Sequence, residues 1–429
     1  MTRHVKSEAG RVAVASAIGT TIEWYDFFIY GTAAAVVFGP QFFPQIPESA
    51  GRLAAFATFG LGFLARPLGS IVMGHFGDRV GRKTMLVWSL MLMGIATFSI
   101  GLLPNYTRIG IWAPTLLTVC RFVQGFALGG EWGGAVLLSV EHAPAGRRGF
   151  FGSMVALGLP AGIILSNLVF LVVSVAVAPA TFAAWGWRIP FFASGALVIV
   201  GLFVRASVAE SPVFDAALRI GSTRAMPVLD ILKRHGRAAT LAAGSYVASS
   251  ALGYIVLVFF VSYATRELDI PLQTALMLLL IAALVFAASI VTCARWSDRV
   301  GRRRIMRWGS GGLVLWCLIF FPLLETRSIP LIGLALCGNL LLQGAYIGTQ
   351  PAVFAELFPT EVRCSGVSLS FTLATIVGGA PAPLIATALL SAGGSALVTA
   401  YITALSLLSW LCLFGLRETH RTNIVPPRG

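Results

Sequence analysis

Gly74-His-Phe-Gly-Asp-Arg-Val-Gly-Arg-Lys83 lies between two long apolar runs and returns, in a second setting, as Ala294-Arg-Trp-Ser-Asp-Arg-Val-Gly-Arg-Arg303. Asp78 answers Asp298, Arg79 answers Arg299, Gly81 answers Gly301 and Arg82 answers Arg302. A single basic loop between apolar runs does no more than set topology. The same loop in matching places of two apolar halves marks a duplicated membrane protein. Its acid can cap or pair with a helix terminus, and its arginines supply cytoplasmic charge and forks for carboxylates. Gly74 leads the first copy, whereas Ala294 stands in its place in the second, which argues against close helix contact there.

The rest of the chain agrees. Hydrophobic residues make up 57% and charged residues 11%, where a soluble domain carries roughly 25% charged. The mean hydropathy is +0.85. Apolar runs of ~20 residues recur throughout, so the expected fold class is an all-α polytopic membrane protein with twelve transmembrane helices. They lie near 13–38, 53–77, 83–103, 112–140, 150–178, 187–206, 238–265, 272–297, 304–323, 329–356, 365–391 and 395–416. The polar stretch 207–237 reads as a cytoplasmic linker between an N-terminal bundle, 1–206, and a C-terminal bundle, 238–429. The six cysteines lie in or beside apolar runs without metal-ligand or disulfide spacing and read as small core residues.

A net charge of +14 would also fit a nucleic-acid binder, but its distribution points elsewhere. With the N-terminus in the cytoplasm, only Arg52, Arg108, Arg188, Arg266 and Arg327 fall on the outer side. Arg66 and Arg121 fall inside segments, and every other Lys and Arg is cytoplasmic. That is the positive-inside bias, and it places both termini inside. The start is short, polar and basic and precedes an apolar run too long for a cleavable signal. The expected setting is a bacterial inner membrane.

Several polar residues lie deep in these segments. Glu23, Asp26 and Tyr30 share one face of the first. A carboxylate in hydrocarbon costs ~2.5–3.5 kcal/mol even on a lenient scale, so it faces a cavity or a cation, or is protonated. Arg66 and Pro67 lie on the second segment. On the fourth, Arg121, Gln124, Leu128 and Glu131 follow i, i+3, i+7, i+10. Arg121 and Glu131 are then ~15 Å apart along the axis and need other partners. Gly125, Gly129, Gly130, Gly133 and Gly134 read as close-packing positions. The C-terminal half offers neutral groups: Ser245, Tyr246, Ser249, Ser250 and Tyr254 on the seventh segment, and Asn339, Gln343, Tyr346 and Gln350 on one face of the tenth. Such a stripe exceeds what interhelical hydrogen bonding needs and reads as a cavity lining.

The repeated loop resembles those between helices two and three and helices eight and nine of the major facilitator superfamily. Other words span nearly the whole chain: Glu23-Trp-Tyr-Asp-Phe, Ala65-Arg-Pro-Leu-Gly, Arg121-Phe-Val-Gln-Gly, Gly130-Glu-Trp-Gly-Gly, Leu138-Ser-Val-Glu-His-Ala-Pro, Trp185-Gly-Trp-Arg-Ile-Pro-Phe and Glu356-Leu-Phe-Pro-Thr-Glu-Val-Arg. Together they resemble the metabolite:proton symporter family, nearest in appearance to its shikimate permease branch. The resemblance implies two pseudo-symmetric six-helix bundles that rock about a central cavity. It also implies a gating role for Gly74, Asp78, Arg79, Gly81, Arg82, Asp298, Arg299 and Arg302.

Three acids (Glu23, Asp26, Glu131) stand against two bases (Arg66, Arg121) within the membrane. An acid without a full partner takes up a proton readily, so these three are the candidate proton-coupling residues, Glu131 first. The arginines can hold a carboxylate. Gln124, Tyr30, Trp132, Tyr246, Tyr254, Asn339, Gln343 and Tyr346 complete the candidate substrate lining. The expected protein is a monomeric proton symporter of a small organic anion in a lipid bilayer, with protons as coupling ion, no other cofactor, no metal and no nucleic acid. No phosphate-binding loop for ATP-driven transport is present. The alternatives are a proton-coupled exporter, an importer of zwitterionic compatible solutes, a membrane enzyme, and a sensor that binds without turnover. The five histidines lie in loops, tails or segment ends, which argues against catalysis at membrane depth.

Overall fold

The structure, a computed structural model, describes residues 3–80, 82–129, 131–144, 146–206, 227–359, 362–420 and 422. The side chains of 3–8, 71, 74–80, 82–83, 205–206, 227–229 and 232 are outside that description. Most of the expected linker, Gly81, and the side chains of Asp78, Arg79 and Arg82 therefore lie outside the described residues.

Among the described residues, ten helices are long and apolar enough to cross a membrane. They are Glu48–Ser70, Thr84–Leu102, Arg148–Ala176, Gly186–Val204, Gly236–Arg266, Leu272–Val300, Arg302–Glu325, Ile329–Leu357, Arg363–Gly393 and Ser395–Gly415. In chain order these are spans two, three and five to twelve. Span one, Arg3–Ala33, carries Glu23 and Asp26, and span four comprises Trp112–Leu128 and Glu131–Glu141. These two crossings fall short of the same measure. Two acids dilute the apolarity of span one, and span four is divided just before Glu131. The single segment expected at 112–140 is thus two helices, and Gly130 between them is outside the described residues.

No strand occurs among the described residues. Span one packs on span five, span two on span four, and span three on span six. The same arrangement recurs later: span eight packs on span ten, span nine on span twelve, and span seven on spans eleven and twelve. Spans five and eight join the first six crossings to the last six, helped by spans two and eleven. Spans one and seven, counterparts in the two bundles, each loosen into a π-turn, Ala34–Phe38 and Ile255–Phe259. A third π-turn, Thr375–Gly379, lies in span eleven. Such turns widen a helix locally and are frequent at functional sites. Gly31, just ahead of the first, lies against Val258 in the second.

The repeated loop marks one end of the molecule, the motif side; the opposite end is the far side. Around the second copy, Asp298 accepts hydrogen bonds from the backbone N–H of Gly149 (2.8 Å) and Phe150 (3.0 Å), at the start of span five. It thereby caps a helix of the other bundle at its positive end. The reading of Ala294 is corrected. Contact at this point is close, and the small residue is Gly149 on the facing helix, where a Cβ would meet the Ala294 carbonyl at 2.7 Å. Arg302 forks onto Glu356 (3.0 and 3.1 Å) and reaches Asp298 at 2.7 Å. Gly301 turns the chain between them at φ 107°, a conformation that glycine adopts without strain. Arg299 is exposed and stands apart from this cluster. The cysteines are corrected too: only Cys317 is buried, and the other five are half-buried.

Candidate functional site

The two intramembrane arginines meet in an aromatic box. Gly125 on span four fits against the Gly62 carbonyl of span two. That close approach brings Arg121 over span one. Its guanidinium carbon lies 4.2 Å from the Phe27 ring centre, 4.5 Å from Tyr30 and 4.6 Å from Phe59. Arg66 lies 5.2 Å from Phe27 and 4.7 Å from Phe63. Tyr254 of span seven closes the box from the other bundle, its ring 5.4 Å from Phe27 and 5.0 Å from Phe63. Its hydroxyl is within electrostatic reach of Arg66, Arg121 and Glu23.

Arg121 is 1% exposed. Its Nε reaches the Phe59 carbonyl at 3.4 Å and its Nη1 reaches Gln124 Oε1 at 3.2 Å. Nη2 has no hydrogen-bond partner, and neither has Nε of the buried Arg66. No carboxylate pairs with Arg121 among the described residues. A buried cation without a counter-ion costs several kcal/mol in effective terms. Aromatic faces offset part of that, roughly 2 kcal/mol when desolvated. The remaining demand is for an anion, and the planar fork fits a carboxylate.

Asp26 is 0% exposed. Its Oδ2 accepts from Thr97 Oγ1 at 2.9 Å, and the Ser194 hydroxyl of span six lies beside the carboxylate. Thr97 in turn accepts from Gln124 Nε2 at 2.7 Å. Asp26 and Arg121 are therefore joined through Thr97 and Gln124 across spans one, three and four. Glu131 sits apart from this chain, accepting from Ser89 of span three at 2.8 Å. Tyr30 shares a hydrogen bond with Thr58 at 2.7 Å beneath Arg121.

The other bundle brings polar groups with unused capacity. Gln343 Nε2 donates to Asn339 Oδ1 at 2.6 Å, leaving Asn339 Nδ2 and Gln343 Oε1 without partners. Gln350 Nε2 and the Ser249 and Ser250 hydroxyls are buried and unpartnered as well. Trp132 belongs to a different construction. It stacks on Phe371 at 4.0 Å, Phe371 on Tyr246 at 5.3 Å, and Tyr246 on Tyr346 at 5.9 Å. This column of rings crosses from span four to spans seven, ten and eleven. Ser245 and Tyr346 share a hydrogen bond of 2.9 Å at its end.

The structure thus gathers Arg66, Arg121, Gln124, Tyr30, Asp26 and Tyr254 into one neighbourhood. It sets Glu131 and Trp132 toward the motif side of it. Phe27, Phe59, Phe63, Thr97 and Ser194 were not singled out from the sequence. An aromatic or hydroxyl residue is ordinary in an apolar helix, and only its neighbours across helices make it part of a site.

A model of the Major Facilitator Superfamily matches residues 16–373 and 242–429. The inner membrane metabolite transport protein YhjE of Escherichia coli is 42% identical over 96% of this chain and 95% of its own. The shikimate transporter of Escherichia coli is 39% identical over 97% of this chain and 96% of its own. The proline/betaine transporter of that organism is 32% identical over 91% and 80%. Among solved structures, the proton:xylose symporter XylE superposes with a TM-score of 0.76 at 16% identity, over 97% of this chain and 98% of that one. Relatives and family alike are membrane transporters. Twelve crossings in two six-helix bundles, a family model that spans them and relatives matched nearly end to end all agree: the chain belongs to the Major Facilitator Superfamily, among its metabolite transport proteins.

Proposed function

We propose that the protein imports a small organic anion with protons across the bacterial inner membrane by alternating access. Arg121 supports this reading most strongly: a buried cation, boxed by aromatic rings, with an unused Nη2 donor and no carboxylate of its own among the described residues. A substrate carboxylate supplies the missing counter-charge, and the Arg66 Nε is a second donor close by. The amides of Asn339, Gln343 and Gln350 face the body of the substrate, a ring or polyol. The shikimate transporter among the relatives is named for such a molecule.

Asp26 is our first candidate for the transported proton, ahead of Glu131 and Glu23. It is fully buried and, among the described residues, linked to Arg121 by an unbroken hydrogen-bond chain. Protonated from the outer side, it would cross as a neutral group, and release inside would follow the lower proton activity there. We assign the motif side to the cytoplasm from the distribution of Lys and Arg, with both termini on that side. The bundles 1–206 and 238–429, joined by 207–237, would be the rocking bodies, and the monomer the transporting unit.

A second reading rests on the proline/betaine relatives. The cargo is then a zwitterion, its carboxylate on Arg121 and its cationic end against an aromatic face. One experiment separates them. Purified protein in proteoliposomes is offered labelled shikimate, α-ketoglutarate, proline and glycine betaine, with and without an inward pH gradient and an uncoupler. Gradient-dependent accumulation of a carboxylic acid supports the proposal. Accumulation of betaine or proline alone favours the second reading, and uptake indifferent to protons ends the symport assignment.

A further inference from the structure

The chain from Arg121 to Asp26 has a fixed direction. Arginine carries only donors, so Gln124 must turn its Oε1 toward Arg121 Nη1. Its Nε2 is then the donor to Thr97 Oγ1. Thr97 has one hydroxyl hydrogen left to give and two acceptors in reach, Asp26 Oδ2 and its own helix's Met93 carbonyl, each at 2.9 Å. One hydrogen and two equidistant acceptors make a switch.

We propose that Thr97 is a positioning residue whose hydroxyl reports the protonation of Asp26 to Arg121, and so couples proton to substrate. With Asp26 ionised, the charge-assisted bond wins. Every donor in the chain then points the same way, and each bond polarises the next. Arg121 Nη1 is held toward Gln124. With Asp26 protonated, that acceptor loses its charge. The Thr97 hydrogen turns to the Met93 carbonyl and the chain slackens. Arg121 is released to meet a carboxylate with its full fork. Proton and anion therefore favour each other, and the linkage is reciprocal.

The surroundings of Asp26 leave Thr97 this role. Span six presents Ser194, and Tyr25 beside Asp26 donates its hydroxyl to the Pro190 carbonyl. Span five presents Gly162 to Trp24 and Tyr25. Span seven presents Tyr254 to Phe27, and Glu23 lies one turn earlier on the same helix. Only Thr97 connects Asp26 onward to an arginine among the described residues.

This inference rests on the symport reading for its purpose but not for its test. Infrared difference spectra between acid and alkaline buffer are recorded on purified protein carrying 15N-arginine. In the wild type, a protonated-carboxyl band that Asp26→Asn removes should appear together with a guanidinium shift that Arg121→Lys removes. Thr97→Val should keep the carboxyl band and lose the guanidinium shift, and Thr97→Ser should restore it. Gln124→Leu, which cuts the same chain elsewhere, should behave as Thr97→Val and guards against a folding defect. A guanidinium shift of wild-type size in Thr97→Val, or the absence of either band in the wild type, overturns the proposal. In proteoliposomes with labelled shikimate, Thr97→Val should lose accumulation at least about tenfold more than exchange. A wild type that ignores the pH gradient would end the symport reading while the spectra still decide the relay.

Discussion

At the scale of residues, the informative positions are those whose chemistry does not suit their solvent. Arg121, Arg66, Asp26 and Glu131 could be picked out of the sequence because a charge at membrane depth needs a reason. Phe27, Phe59 and Phe63 could not, since nothing local distinguishes a ring that holds an arginine from one that packs against lipid. We also rank the acids in a different order. Glu131 stood first in the sequence for its distance from Arg121. Ser89 donates to Glu131, and Thr97 and Gln124 join Asp26 to Arg121, which is why we place Asp26 first. Two predictions belong here. Arg121→Lys keeps the charge but loses the planar fork, so carboxylate affinity should fall about tenfold, the worth of one charge-assisted hydrogen bond of ~1.5 kcal/mol. Equilibrium binding of labelled shikimate to the detergent-purified variant checks this, and unchanged affinity would move the anchor to Arg66. Asp26→Asn mimics the permanently protonated acid. It should exchange substrate across the membrane yet fail to concentrate it under a pH gradient, whereas Glu131→Gln should still concentrate it. The opposite result in side-by-side counterflow and accumulation assays would return the coupling role to Glu131.

At the scale of elements, the repeated loop was legible as a repeat, and its acid as a cap, but not which helix it caps. That depends on spans five and eight lying side by side, with Gly149 admitting the Ala294 carbonyl, a contact between residues far apart in sequence. The C-terminal tail adds a second cap that carries no pattern in the sequence. Glu418 accepts from the backbone N–H of Arg302 and Arg303, both at 3.0 Å, closing the start of span nine. Burial works to raise its pKa, but the N–H groups of Arg302, His420, Thr419 and Arg303 outweigh it and hold the carboxyl below its ordinary value of 4.5. A depressed folded value means that this contact stabilises at neutral pH and is lost as the pH falls below 4.5 through the lowered value. Glu418→Gln should remove the charged cap at neutral pH. Loss of a cap of ~1 kcal/mol corresponds to roughly fivefold faster amide exchange at Arg302 and Arg303. Exchange mass spectrometry of the peptide covering span nine reads it, and wild-type protection in the variant would show that the tail caps nothing.

At the scale of the whole molecule, the two bundles touch at both ends at once, and the contacts differ in kind. On the motif side Asp298 caps span five, and Arg363 approaches Glu141 at 3.6 Å with both side chains nearly buried. On the far side two pairs cross the seam. Arg266 of span seven meets Glu48 at the start of span two, and Arg52 one turn later lies 3.7 Å from Glu267. Glu48 and Glu267 are 71% and 45% exposed in their side chains. Exposed pairs contribute at most ~1 kcal/mol each and weaken with salt. The far side should therefore open more readily than the motif side. Glu48→Gln combined with Glu267→Gln removes both pairs and leaves Arg52 and Arg266 as like charges across the seam. Spin labels at Thr107→Cys and Thr326→Cys, one on each bundle at the far side, should then show a longer distance distribution than in the parent protein. Raising the salt should lengthen the parent's distances toward that distribution and should not lengthen the double variant's. If the two proteins give the same distribution at low salt, the crossed pairs are bystanders, and closure of the far side rests on the packing of Gly31 against Val258 and of the rings around Tyr254.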